Sequence, residues 1–183
     1  MPAGRWFYVN EEADPEGAHG PVSLEQLAEL IRAGNLPYDV LVSKDGTVES
    51  DWVEADTIIE ILNAIPLDRE RLMREYIGYG EARPGEETWG WASHRMYAIL
   101  EGAPELAWTL IVEMLDRAPS DNSLGLLAAS PLEDLLSKDG AAFIDRVEVR
   151  AANNPKFRRA LGMLRRLGMT TDVWERVQNA AGA

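Results

Sequence analysis

Residues 20–36, with the sequence GPVSLEQLAELIRAGNL, decide the fold of the first third of the chain. Ser23 and Gln26 have the spacing of a capping box, in which a hydroxyl and an amide oxygen accept hydrogen bonds from free N–H groups at a helix start. Apolar side chains then recur at helical spacing, at Leu24, Leu27, Leu30 and Ile31. Gly34 follows where a C-terminal cap is expected. The stretch therefore predicts a short amphipathic helix.

Strand-forming sequences lie on both sides of this helix. Residues 5–9 (RWFYV) and residues 39–43 (DVLVS) contain aromatic or β-branched side chains, which favour strands. Residues 10–20 are polar and contain glycine and proline, so we expect a loop between the first strand and the helix. Residues 52–58 predict a short strand that leads into another helix. Residues 1–65 are therefore predicted to form a small α+β domain.

The spacing around the helix resembles that of the GYF domain, a small adaptor fold, and most closely its bacterial GYF-like branch. The GYF signature is Gly-Pro-Phe, four residues, Met or Val, two residues, Trp, three residues and Gly-Tyr-Phe. This chain keeps every spacing, with Gly20-Pro21-Val22, Leu27, Leu30 and Gly34-Asn35-Leu36. Trp6 and Tyr8 match the family upstream of the signature. The resemblance covers residues 4–62 and implies a GYF-like fold there.

The resemblance also implies a function, because GYF domains bind proline-rich peptides on a cluster of aromatic rings. A flat ring packs well on the preformed polyproline helix. In this chain Val22, Leu30 and Asn35 replace the Phe, Trp and Tyr of that cluster. Three interpretations stay open: a plain hydrophobic core, an apolar peptide groove of altered specificity, and true polyproline binding. The candidate peptide-binding residues are Trp6, Tyr8, Pro21, Val22, Leu30, Asn35 and Leu36.

The remainder, residues 66–183, is predicted to be an all-helical domain. Pro66 breaks the preceding helix, and Pro104 fits the first turn of a helix that is apolar around much of its circumference. We expect this helix to be central. Glycines at 78, 80 and 85 predict a loop, and a longer helix is predicted from Glu86 or Glu87 to Gly102, just before the Pro104 helix. Short helices are predicted after the Pro104 helix, at residues 122–129, 131–138, 140–152, 155–167 and 171–180. The predicted fold class is α+β, with a small sheet-plus-helix domain and a larger helical one.

A second motif lies at residues 128–136 (AASPLEDLL), with Trp108 upstream and Phe143-Ile144-Asp145 downstream. It resembles an uncharacterised bacterial domain family that carries an A-G-P-L-E-D-L-L-like block. The resemblance covers residues 85–178, and that family has no established activity. Ser130 has the position of an N-cap, Pro131 fits the first helical position, and Glu133 completes a capping box. The block is therefore predicted to start a helix that Gly140 ends.

Residues 155–167 predict a basic helix that begins after Asn154 and stops at Gly168. Its apolar residues share one face, and the opposite face carries Arg158, Arg159, Arg165 and Arg166. A solvated polar face is one interpretation. The others are docking on an acidic surface, either a partner's or that of residues 1–65, and binding of a small anion, because guanidinium groups suit carboxylate and phosphate contacts.

The net charge of −13 argues against a general nucleic-acid binder, because phosphate binding depends on clustered Lys and Arg. The net charge is −10 in residues 1–65, −8 in residues 66–149 and +5 in residues 150–183. The chain has no cysteine, which excludes disulfides and thiolate metal sites. No apolar run approaches the roughly 20 residues that cross a bilayer, so we expect no membrane insertion and a cytoplasmic protein.

Catalytic patterns are absent from the sequence. His94 has no Asp or Glu at positions 90, 91, 97 or 98 to complete a base or metal site, and His19 lies in the predicted loop before Gly20. There is no Gly-rich phosphate loop and no nucleophile elbow. We therefore expect no enzyme, no catalytic residue, no metal and no cofactor. Two function classes remain: a protein-interaction adaptor that binds a peptide or protein segment, and an immunity or antitoxin-type protein whose acidic surface covers a basic toxin.

Overall fold

The computed structural model describes residues 5–10, 14–44, 46, 51–82 and 90–182. These residues form a small antiparallel sheet with helices in the first part of the chain and helices alone in the larger second part, which confirms the predicted α+β class. The strands are β1 (Trp6–Asn10), β2 (Asp14–Val22), β3 (Leu41–Ser43) and β4 (Val53–Glu54). The helices are α1 (Leu24–Arg32), α2 (Ile59–Ala64), α3 (Arg69–Glu81), α4 (Trp91–Gly102), α5 (Pro104–Arg117), α6 (Asp121–Leu127), α7 (Glu133–Asn153), α8 (Pro155–Leu161) and α9 (Thr171–Ala181).

The chain divides into two compact units. The first takes in the described residues of Met1–Asp68 and Trp89–Ala98, and the second takes in those of Arg69–Thr88 and Ile99–Ala183. The sequence predicted a boundary between residues 65 and 66 and assigned the whole of α4 to the helical domain. In the structure, α4 begins in the first unit and ends in the second. No helix in the described ranges is long and apolar enough to cross a membrane.

The sheet of the first unit has the strand order β2-β1-β3-β4, and all pairs are antiparallel. α1 starts with the predicted capping box: the Ser23 hydroxyl accepts from the Gln26 N–H at 3.2 Å, and the Ser23 N–H donates to Gln26 Oε1 at 2.9 Å. Gly34 follows the helix with a φ of +76°, a conformation that favours glycine. The predicted cap residues at both ends of this helix are confirmed.

The core of the first unit lies where α1, α2 and the strands meet. Its buried members include Trp6, Leu27, Ile31, Leu36, Val40, Val42, Ile61 and Ile65. Half-buried apolar side chains pack around this core, among them Tyr8, Val22, Leu24, Leu30, Tyr38 and Ile58. Burial of this surface is the main force that holds the small unit together.

One expectation for the first unit is wrong. Residues 10–20 were predicted as a loop, yet β2 begins at Asp14 and pairs with β1. Irregular register between the two strands accommodates glycine and proline in this strand. A Cβ at Gly20 would lie 2.7 Å from the Trp6 carbonyl oxygen, so glycine is needed for this close approach of the strands.

The second unit is built around α5, which packs against α3, α6, α7 and α8. Its buried residues are Ala107, Leu110, Ile111, Met114 and Leu115. Pro104 lies in the first turn, as predicted, and the expected central position of this helix is confirmed. Gly78 and Gly80 lie inside α3 rather than in a loop, because Gly80 lets α3 approach Ser123 of α6: a Cβ there would lie 2.7 Å from the Ser123 Cα.

The helix start predicted at Ser130 is wrong. The chain is already helical from Asp121, and it continues through a π-helical turn at Ala128–Leu132 into α7. Pro131 has no N–H, and its ring crowds the carbonyl four residues earlier, so a wider turn relieves both conflicts. The predicted stop at Gly140 corresponds to a kink: Asp139 has non-helical φ and ψ angles, and α7 consists of two helical stretches that meet there, the second ending at Asn153.

The helix predicted at 155–167 is shorter than expected. Asn154 caps α8 as predicted, since its side chain accepts from the Phe157 N–H at 2.9 Å, but the helix ends at Leu161. A hydrogen bond to Glu133 is one reason why α8 ends early. The Glu133 carboxylate accepts from the Arg165 N–H at 2.8 Å, so this backbone donor is satisfied outside a helix.

Candidate peptide-binding site

The pairing of β1 with β2 places rings side by side on the sheet. Tyr8 lies opposite His19, and Trp6 lies opposite Val22. The Tyr8 and His19 rings are stacked, with centroids 5.2 Å apart and planes inclined by 20°. Both side chains are half-buried. A pair of parallel rings with polar atoms at their edges therefore lies at the surface of the first unit.

The structure separates the seven predicted peptide-binding residues into three groups. Trp6 and Leu36 are buried members of the core. Tyr8, Val22 and Leu30 are half-buried and pack against that core, which leaves part of each at the surface. Pro21 and Asn35 are exposed. We use the name Tyr8 surface for the half-buried set Tyr8, His19, Val22 and Leu30.

His19 is the residue that the sequence did not assign to this site. It was expected in a loop, because residues 10–20 are polar and contain glycine and proline. Its ring stacks on Tyr8, and its Nε2 atom is buried without a hydrogen-bond partner among the described residues. Only the pairing of β2 with β1 places His19 opposite Tyr8. Periodicity within a single segment gives no information about which residues of another strand lie opposite it.

A concave feature of the first unit adjoins Trp6. It has a volume of about 370 Å3 and is lined by Trp6, Val42, Ser43, Lys44, Asp51, Val53 and Ile58. The Lys44 ammonium lies 4.8 Å from the centroid of the Trp6 ring and 3.3 Å from the Glu60 carboxylate. The Trp6 indole N–H has no acceptor among the described residues. Lys44 is therefore a cationic neighbour of the Trp6 ring, which is otherwise buried in the core.

Polar contacts join the start of α4 to the rest of the first unit. The guanidinium of the buried Arg95 donates to the carbonyls of Leu62 and Ile65, the latter at 2.9 Å. These carbonyls lie at the C-terminal end of α2, where a cation is favourable. Burial lowers the pKa of Arg95 from its ordinary value. Arg95 therefore supplies hydrogen bonds that α2 lacks at its own end.

The buried Asp56 lies beside the partly exposed His94 in this unit. His94 Nδ1 lies 3.4 Å from Asp56 Oδ2, which is an ion-pair separation rather than a well-formed hydrogen bond, and Asp56 Oδ1 has no partner among the described residues. Burial raises the pKa of Asp56, while His94 acts in the opposite direction. The described residues contain no group of three His, Cys, Asp or Glu side chains placed to hold a metal.

The four arginines predicted to share one helical face are separated because α8 ends at Leu161. Each binds a neighbour within the second unit. Arg158 donates to the Ala151 carbonyl, Arg159 pairs with Asp121, and the Arg166 guanidinium donates to Thr171 Oγ1 at 2.6 Å. Arg165 Nε lies 4.0 Å from Glu133 Oε2. The structure thus brings these arginines to different partners.

The block at residues 128–136 faces the interior of its own unit. Glu133 is almost fully buried: one carboxylate oxygen accepts from the Arg165 N–H, and Oε1 has no partner among the described residues. The Tyr76 hydroxyl lies 3.1 Å from Ser130 Oγ. Burial raises the pKa of Tyr76 to about 12, and burial followed by the Glu133 charge raises that of Asp134. The block links α3, α7 and the segment after α8.

Residues 80–183 match the model of DUF6869, described as a family of unknown function. Because the match covers more than half of the chain, the chain belongs to this family. The four strands and the Tyr8 surface precede the matched residues. No curated protein and no solved structure matches the chain.

Proposed function

We propose that this chain is a non-enzymatic, cytoplasmic adaptor whose first unit is GYF-like and binds a peptide or protein segment on the Tyr8 surface. The observation that carries the proposal is the stack of Tyr8 on His19 beside half-buried Val22. The preserved spacing of residues 20–36 supports the GYF-like assignment. In this proposal Trp6 and Leu36 support the surface from below and do not contact the ligand.

The physical reason is the match between paired rings and an extended apolar segment. Tyr8 and His19 offer flat faces for packing, and the tyrosine hydroxyl suits a half-wet site. A polyproline helix exposes its backbone carbonyls and carries little conformational entropy, so it packs on such rings at low cost. His19 supplies a ring where Val22, Leu30 and Asn35 lack one. Val22 and Leu30 extend the apolar area. Because they replace aromatic residues of the GYF signature, we expect the peptide specificity to differ from that of GYF domains.

The experiment is a two-stage peptide test on the full chain. An array of segments about ten residues long, with proline-rich and proline-free members, is screened first. The tightest member is then titrated into isotope-labelled protein, and amide shifts are followed by NMR. We expect the largest shifts at Tyr8, His19, Val22 and Leu30. Shifts confined to the second unit, or no binding by any array member, would contradict the proposal.

A second candidate function is favoured by charge. Residues 1–65 carry 13 acidic and 3 basic side chains, and this acidity suits an immunity or antitoxin-type protein that covers a basic toxin. Such a complex depends strongly on ionic strength, whereas ring packing on an apolar peptide does not. A native partner that is a basic nuclease and dissociates between low and high salt would favour this function over peptide binding.

A further inference from the structure

The loop between α8 and α9, residues 162–170, carries positive charge at its tip. The tip has the sequence Arg165-Arg166-Leu167-Gly168, and all four residues are exposed. The Arg165 side chain is 70% exposed, and Leu167 is 64% exposed. We call residues 162–170 the α8–α9 loop. A cationic tip with one apolar side chain therefore lies at the surface of a chain whose net charge is −13.

Contacts on both sides of the tip hold it in place. Leu164 before the tip and Met169 after it are buried. The buried Glu133 carboxylate accepts from the Arg165 N–H at 2.8 Å, and the Met169 N–H donates to the Arg166 carbonyl at 3.1 Å. A loop that is fixed in this way has little conformational entropy left to lose when a partner binds. The side chains of the tip are thus presented on an ordered backbone.

Among the described residues, the guanidinium groups of the tip lack the close carboxylate partners that other arginines of this unit have. The Arg166 guanidinium donates to the neutral Thr171 hydroxyl at 2.6 Å, and no described carboxylate pairs with it. Arg165 Nε lies 4.0 Å from Glu133 Oε2, an oxygen that already accepts from the Arg165 N–H. Arg176, by contrast, contacts two carboxylates of α7, both at 2.6 Å. Free guanidinium donors suit carboxylate ligands, so the tip favours an anionic partner.

The kind of anion follows from the charge of the rest of the chain. Charges separated by more than about 8 Å are largely screened at physiological ionic strength. Residues 150–183 contain 2 acidic and 7 basic side chains, so a short acidic segment at the tip meets little negative charge. A nucleic acid or an anionic membrane extends beyond the tip and is repelled by the acidic residues elsewhere. Leu167 adds an apolar contact that an apolar side chain of a protein segment covers.

We propose that the α8–α9 loop binds a short acidic segment of a partner protein. Carboxylates of that segment face Arg165 and Arg166, and one apolar side chain packs on Leu167. This site goes beyond the proposed function, because it lies in the family-matched part of the chain and does not depend on the Tyr8 surface.

The test uses a synthetic peptide of about ten residues, with one leucine flanked by glutamates, titrated into the full chain by calorimetry at low salt. We expect Leu167→Asp to weaken its binding about tenfold or more, since the change removes the apolar contact and adds negative charge at the tip. Val149→Asp is the matched control: Val149 is 66% exposed in the same unit, and the change adds the same charge. This control is expected to bind like the wild type. Equal affinities of the two variants, or no binding by the wild type, would overturn the proposal.

The charge assignment has its own pair of variants. Arg166→Gln is expected to weaken binding of the acidic peptide about fivefold, whereas Arg74→Gln, which removes an exposed arginine of α3 in the same unit, is expected to leave it unchanged. A peptide with glutamines in place of the glutamates is expected to bind the wild type at least tenfold more weakly at low salt. Equal binding of the two peptides would overturn the charge assignment.

Other occupants of the loop are distinguished with the same variant. A short single-stranded RNA, or vesicles of anionic lipid, are expected to bind the wild type more weakly than the acidic peptide. Tighter binding of either one that Leu167→Asp abolishes would overturn the protein segment in favour of that polyanion. Dimerisation of the wild-type chain that Leu167→Asp abolishes would overturn it in favour of a second copy.

Discussion

Ser23 and Ser130 each begin a capping-box pattern, Ser-x-x-Gln in residues 23–26 and Ser-x-x-Glu in residues 130–133, yet the two segments fold differently. At Ser23 the preceding chain is a strand, so the box forms and starts α1 beside the Tyr8 surface. At Ser130 the preceding chain is already helical, so the serine contacts Tyr76. The same local signal starts a helix only where the chain before it is not helical.

Residues 130–133 of the second unit and the Tyr8 surface of the first unit also differ in whether their polar side chains face the protein interior or the solvent. In the second unit, Glu133 and Ser130 bind groups of their own chain. In the first unit, Tyr8 and His19 keep part of their rings at the surface. We therefore expect substitutions at residues 130–133 to change stability and leave peptide binding intact. Substitutions on the Tyr8 surface are expected to do the opposite.

The largest effect on stability is expected at Glu133. Glu133→Ala removes the acceptor of the Arg165 N–H and leaves a cavity, which we expect to lower the free energy of unfolding by about 2–3 kcal/mol. Glu133→Gln keeps an acceptor oxygen and is expected to stay within about 1 kcal/mol of the wild type. Denaturant unfolding measures both. Equal losses in the two variants would show that the charge, and not the accepted hydrogen bond, holds the segment after α8.

The next effect is a pH dependence at Tyr76. Burial raises its pKa to about 12 from an ordinary value of 10.0, so the folded chain holds this proton more tightly than the unfolded chain. Its contribution to the free energy of unfolding is complete below pH 10 and is lost as the pH rises toward 12. We expect a loss of about 2–3 kcal/mol over that window.

The control for this prediction is Tyr76→Phe, which removes the titrating group. Its unfolding free energy should fall less steeply than that of the wild type between pH 10 and 12, although it lacks the contact with Ser130 at neutral pH. Parallel curves for the two proteins would rule out a buried, proton-retaining Tyr76. The other tyrosines are common to both proteins and cancel in the difference.

A smaller change in stability is expected to distinguish Ser23, which caps a helix, from Ser130, which does not. Ser23→Ala is expected to cost about 1 kcal/mol, and Ser23→Asp is expected to restore most of it, because aspartate is an equivalent N-cap. Ser130→Asp is expected to destabilise, because it adds a third carboxylate next to Glu133 and Asp134 and is not at a helix start. Thermal unfolding of the three variants decides this. A stabilising Ser130→Asp would mean that α7 starts at Ser130 after all.

The successes and failures of sequence reasoning follow the range of the interactions. The ends of α1 and the start of α8 at Asn154 were predicted because each cap residue lies within a few residues of the backbone groups that it caps. The end of α8 was missed because the Arg165 N–H finds its acceptor 32 residues away in Glu133. Periodicity within one helix carries no information about such a contact.

The candidate site shows the same limit. Tyr8, Val22 and Leu30 were predicted from the spacing of a family signature, and the structure leaves all three half-buried. His19 was missed because its place depends on the register of β2 with β1. The division of α4 between the units was missed for a similar reason, since Arg95 donates to carbonyls that lie 30 and 33 residues earlier.

The most direct test of the central claim compares two tyrosines in one titration. Tyr8→Ala and Tyr97→Ala both remove a surface tyrosine from the first unit, and Tyr97 is 56% exposed on α4. The affinity of the tightest array peptide for each full-length variant is measured by calorimetry. We predict about tenfold weaker binding for Tyr8→Ala, with a change in unfolding free energy below about 1 kcal/mol, and wild-type affinity for Tyr97→Ala. Wild-type affinity for Tyr8→Ala would contradict the account.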